Sequence, residues 1–301
     1  MATSFTATYK NGAPNFFPVG WEDAKGAHLG SVELFEARSY NRAVAEHQTI
    51  TVPTQSLQTW LSSLPNLQDV RLRKLLLGEY YPRIHRPCST NFPNEIPTYP
   101  EVTETSAVAV DVLIERLDHL FRVIEPDAAN LNAYGHEIRN LLLLASMEVE
   151  AAWSAVIRAN GYSGNRWTTN DYIKLLHPLH LSEYELRLTS YPKVPLLTPF
   201  ATWDASQPTQ SLEWYGAYNQ TKHDREQAFG VATLKHAINA VAAAVILFYA
   251  QFGQTYYKDD LFETKLRFRQ FHVTRWPAFP QEEWYVIQAD SHSWTPVNYP
   301  L

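Results

Sequence analysis

Proline sets the limits on what this chain can fold into. Inside a helix it removes a backbone donor and clashes with the preceding turn, so long helices must lie between prolines. Of the 19 prolines, 13 fall in the stretches from Pro82 to Pro100, Pro192 to Pro208 and Pro277 to Pro300. Two proline-poor windows remain. The first runs from about Thr103 to Asn160 and splits at Glu125-Pro126-Asp127; the second opens after Pro208.

Both windows carry helical periodicity. Ala107, Val110, Leu113, Ile114, Leu117, Leu120, Phe121 and Ile124 recur at helical spacing, with Glu115, Arg116 and Asp118 opposite them. Leu131 to Ala159 predicts a longer helix, closed by the stop signal Asn160-Gly161. A short helix is expected from Thr169 or Asn170 to Leu176, and a strand over Glu183 to Leu188 from its alternation. Ser211 to Arg225 and Phe229 to Phe252 predict two further helices. The last is apolar almost all round, and its run from Ala240 to Ala250 is short for a bilayer span, so it is expected as a buried core helix with no membrane contact.

The predicted fold is therefore mainly α: an antiparallel four- or five-helix bundle over residues 103–254. An N-terminal elaboration over 1–102 is expected to pack on it, and a small β-containing tail to follow over 255–301. In the N-terminal part Ser31 to Val52 reads as strands or as a helix followed by a strand, and Leu67 to Leu77 as a short helix. In the tail, Lys265 to Trp276 and Trp284 to Gln288 are strand-like.

Composition narrows the functional classes. Cys88 is the single cysteine, so it forms no internal disulfide and no thiolate metal site. A cytoplasmic protein is expected, since the first twenty residues lack the charged-then-apolar pattern of a secretory leader. A net charge of −6 offers polyanions no long-range attraction, so nucleic-acid binding would rest on local patches. Nucleotide-cradling glycine motifs and nucleophile elbows are absent from the sequence, and neither a cofactor nor a metal is expected. His177 and His180 are separated by Pro178, which breaks the helix that would align them.

One constellation carries chemistry, Trp214-Tyr-Gly-Ala-Tyr-Asn-Gln-Thr-Lys-His-Asp-Arg225. On a helix Tyr215, Asn219, Lys222 and His223 fall near one face. An amide, an ammonium and an imidazole there suit an anion, with His223 as acid/base, Lys222 or Arg225 meeting phosphoryl charge and Asn219 orienting the ligand. The same groups also suit a polar clamp between helices. On the preceding long helix Glu148 and Glu150 point about 200° apart, so one faces the apolar side and needs a partner, with Lys222, His223, Arg225 or Arg139 as candidates. Two basic stretches remain: Arg71, Arg73, Lys74, Arg83 and Arg86 interleaved with Tyr80 and Tyr81, and Lys265, Arg267 and Arg269. Each reads as a phosphate-contacting patch or as a set of partners for acidic residues.

The pairing of GHEIRNLLLLASMEVEAAW with a later WYGAYNQTKHDR and an Ala-rich apolar helix resembles the HEPN-like group of bacterial helical bundles, over roughly Thr103 to Phe252. That resemblance implies a helical bundle with RNA or a nucleotide as ligand, and a protein partner or homodimer. Nuclease members carry an Arg four to six residues ahead of the active-site His. Counted back from His223, those positions hold Gly216, Ala217 and Tyr218. The alternative is a non-catalytic structural or interaction protein.

Overall fold

A computed structural model describes residues 3–12, 16–33, 45–50, 55–89, 100–164, 166–224, 226–253, 268–288 and 293–301. In chain order the first elements are β1 (Ser4–Tyr9), β2 (Phe16–Asp23), β3 (Gly26–Glu33), β4 (Ala45–Ile50), α1 (Leu57–Ser63) and β5 (Leu67–Leu72). The short strands β6 (Glu79–Tyr80) and β7 (Cys88–Ser89) follow, then α2 (Pro100–Phe121), α3 (His136–Ala159), α4 (Thr169–Tyr172) and β8 (Glu185–Leu188). The chain continues with α5 (Glu213–His223), α6 (Leu234–Phe252), β9 (Phe271–Arg275), β10 (Tyr285–Val286) and β11 (Thr295–Pro296). They belong to two units, one made of Met1–Pro82, Arg86–Thr98 and Phe279–Val297, the other of Arg83–His85, Tyr99–Ala278 and Asn298–Leu301.

The first unit corrects the mainly α expectation, because its centre is a five-stranded antiparallel sheet in the order β4-β3-β2-β1-β5. The segment read as a helix from Leu67 to Leu77 supplies β5, which pairs with β1 from Phe5↔Leu72 to Tyr9↔Leu67. Both faces of this sheet are covered. On one, Phe5, Ala7, Ala27 and Leu29 meet Leu57, Trp60 and Leu61 of α1; on the other, Phe17, Val19, Trp21 and Val32 meet Val286 of β10.

Covering both faces removes the apolar-polar alternation by which a half-exposed strand is read. Ser4, Thr6 and His28 are buried as well, and each finds a partner: Ser4 donates to the carbonyl of Leu75 and Thr6 to that of Pro18, while His28 bonds Asp23 and Thr49. Helix α1, capped by the Ser56 hydroxyl, lies so close to β2 that a Cβ on Gly20 would stand 2.5 Å from Leu61 Cδ1. Gly20, which argues against a strand locally, is thus required by the tertiary packing.

The second unit is helical around α6, which packs on α2, α3 and α5. The predicted α2 stripe is buried from Ala107 to Phe121. Helix α3 begins at His136 and not at Leu131, because the carbonyls of Leu131 and Ala133 accept hydrogen bonds from Lys235 and Leu234 at the start of α6. Of the 19 residues of α6, 15 are buried. Its alanines let the neighbouring helices approach closely on every side, so it needs no polar stripe. By length and composition α3 and α6 are each apolar enough to cross a membrane, but 83% of the relevant window of α6 is buried inside the protein. The predicted strand β8 pairs antiparallel with β9.

Candidate functional site

The signature helix and the glutamate-bearing helix do meet. Along α5, Tyr215, Tyr218 and Lys222 fall at spacings of three and four and share a face turned to α3. Tyr215 and Tyr218 are both buried. The Tyr215 hydroxyl donates to Glu150 Oε1 at 2.6 Å, and the Tyr218 hydroxyl reaches Glu150 Oε2 at 3.4 Å. Lys222 Nζ closes the chain by donating to Tyr218 Oη at 2.9 Å. Aromatic rings wall the cluster: Trp153, one turn from Glu150, lies 4.9 Å from Trp203 and 5.7 Å from Tyr215 between ring centroids.

These surroundings fix the protonation states. Burial pushes the Tyr215 phenol far above its ordinary value, and the hydrogen bond to Glu150 adds to the shift. Burial also raises Tyr218, against the opposing pull of Lys222. The hydrogen bond to Tyr218 raises the Lys222 ammonium. All three groups therefore keep their protons at neutral pH, and none is poised to exchange one.

The remaining candidates separate. His223 is exposed and Asn219 half-buried, and among the described residues neither side chain makes a hydrogen bond. Arg225 lies outside the described residues. Glu148, on the other side of α3, enters a different site, as its angular separation from Glu150 requires. Sequence reasoning anticipated a carboxylate reaching α5 but named cations as its partners. Tyr218 was missed, although its spacing of four from Lys222 was a usable signal.

Glu148 lines a cavity of about 170 Å³ within the helical unit, together with Arg83, Ser106, Gln251 and a wall of alanines that includes Ala152 and Ala244. Arg83 Nε donates to Gln251 Oε1 at 2.8 Å, and its guanidinium lies 5.3 Å from the centroid of the Phe252 ring. Among the described residues its Nη atoms have no hydrogen-bond acceptor, and the Glu148 carboxyl has no donor. Burial pulls the Arg83 guanidinium down to about 10, with Arg158 adding to the effect and Glu148 opposing it. Burial raises the Glu148 carboxyl above its ordinary 4.5, against the attraction of Arg83. The Arg83 backbone has φ +57°, a left-handed conformation that costs a non-glycine residue on the order of 1 kcal/mol. No local pattern marks Arg83 as the partner of a distant glutamate, so the sequence offered no route to this pair.

A second cavity, of about 250 Å³, holds Glu213, Lys235 and His236. Its charges are already matched: Lys235 pairs with Glu213 at 2.6 Å, and His236 Nδ1 bonds the carbonyl of Val231.

Apart from Arg83, the described cations of the basic stretches have internal partners. Buried Arg73 donates to the carbonyls of Gln281 and Trp284, while Lys74 and Arg86 both pair with Glu283 at 2.9 Å. Exposed Arg71 stands 3.5 Å from Glu282. Arg269 pairs with Asp118; Lys265 and Arg267 lie outside the described residues. Among the described residues no group of three or more His, Cys, Asp and Glu side chains has metal-site geometry. His180, in a left-handed conformation, bonds Glu183 at 2.6 Å.

By fold this is an α+β chain with a sheet unit and a helical unit, and by site it is a chain with a carboxylate-tyrosine network and a separate charged cavity. No protein-family model, curated protein or solved structure matches it.

Proposed function

We propose that the chain works by binding and not by catalysis, and that the α3–α5 network is the internal clamp of a HEPN-like helical unit. One observation carries this reading: Glu150, Tyr215, Tyr218 and Lys222 satisfy one another in a single hydrogen-bonded chain. The candidate base His223 stands exposed and outside that chain. A general base needs an orienting partner and a proton within reach, and a nuclease of this group needs the Arg whose place is taken by Gly216, Ala217 and Tyr218.

Contact with RNA or a nucleotide is the second reading, favoured by the exposure of Lys222 and His223 on the last turn of α5. Against it, a helix C-terminus presents carbonyl oxygens, which repel phosphate. Cleavage and binding of a labelled RNA by the full chain, measured beside His223→Ala and Asn219→Ala, decide between the two. No cleavage by any of the three is expected. Wild-type cleavage lost in variants of unchanged stability would overturn the clamp reading.

A further inference from the structure

Arg83 and Glu148 face one cavity without forming an ion pair. Both side chains are half-buried, so each gives up part of its hydration, and opposite charges placed in this way commonly pair with each other. Here the guanidinium is held off by its Nε bond to Gln251 and by a left-handed backbone, anchored two residues on by the hydrogen bond from His85 N to the carbonyl of Ala250 at 2.9 Å. Its two Nη groups, the edge that grips a carboxylate in a bidentate manner, are left unmatched among the described residues. Glu148 likewise has no hydrogen-bond donor among the described residues.

A ligand that satisfies only one of these groups leaves the other uncompensated. An anion alone meets Arg83 but is repelled by Glu148; a cation alone has the reverse difficulty. A molecule with both charges answers both. The pocket is half open, and its volume of about 170 Å³ is close to that of a cavity of roughly 150 Å³ that accommodates benzene, so it suits a ligand of a few heavy atoms. Ala152, Ala244, Val110 and Phe248 also line the pocket, and they suit a small apolar side chain.

We propose that this cavity binds a small free amino acid, its carboxylate on the Arg83 guanidinium and its ammonium on the Glu148 carboxylate. The second cavity does not compete for this role, because Lys235 and Glu213 already neutralise each other there. The site stands apart from the α3–α5 clamp, and its occupancy does not depend on the clamp reading.

The test is titration calorimetry of the full chain with glycine, L-alanine, L-serine, L-valine and γ-aminobutyrate, with acetate and ethylamine as single-charge controls. Saturable binding of at least one amino acid is expected, with either control weaker by about tenfold or more. Arg83→Met and Glu148→Gln should each weaken it about ten- to a hundredfold. Ala152→Leu, which fills the cavity and keeps both charges, should abolish binding, and this variant decides the matter if Arg83→Met fails to fold. The proposal falls if none of the five binds, if acetate binds as tightly as the amino acids, or if binding survives Ala152→Leu in a folded protein.

Discussion

The Tyr215 hydroxyl donates to Glu150 Oε1 at 2.6 Å, and this bond joins the two helices that carry the most informative sequence of the chain. It is short, charge-assisted and walled by aromatic rings, conditions in which a hydrogen bond contributes more than an exposed one. Tyr215→Phe should therefore lower stability by about 1.5 to 3 kcal/mol, read as a shift of the urea midpoint at unchanged slope. A loss below about 0.5 kcal/mol would show that Tyr218 alone satisfies Glu150.

His223→Ala tests which residues belong to the clamp. A clamp that included His223 would lose roughly 1 to 3 kcal/mol on its removal. The imidazole is exposed and makes no hydrogen bond among the described residues, so the change should stay within about 0.5 kcal/mol of wild type. Thermal denaturation of the variant beside Tyr215→Phe measures the contrast directly.

Ala243→Glu should be among the most damaging substitutions. Ala243 is fully buried in α6 with neighbours on every side, and a carboxylate there has no partner within the helix-packed core. A cost of several kcal/mol is expected, enough to deplete the soluble folded protein. An unchanged melting temperature would mean that α6 has an exposed face.

Glu148 makes stability depend on pH. Its carboxyl is raised in the folded protein, so the folded state holds the proton more tightly than the unfolded chain does. That contribution is fully present below the unfolded value near 4.5 and is lost as pH rises through the folded value. Glu148→Gln mimics the protonated form. It should raise the melting temperature at pH 7, by a few degrees at most for a partly exposed group, and the advantage should vanish near pH 4. A destabilising Glu148→Gln at pH 7 would mean that attraction to Arg83 outweighs the burial cost.

By itself the sequence determined what repeats at short range. The α2 stripe, the stop after Ala159, the all-apolar α6 and the opposite directions of Glu148 and Glu150 follow from a 3.6-residue period and from proline spacing, which are properties of neighbouring residues. Tertiary structure decided the rest. Strand β5 reads locally as a helix and becomes a strand because β1, far away in the chain, offers its free edge. Glu150 found tyrosines and not cations because the facing turn of α5 presents Tyr215 and Tyr218 there, with Lys222 reaching only as far as Tyr218. The meeting of Arg83 with Glu148 has no counterpart in local pattern. It arises where the chain closes a long loop and holds one backbone residue left-handed, and one-dimensional periodicity carries no trace of such closure.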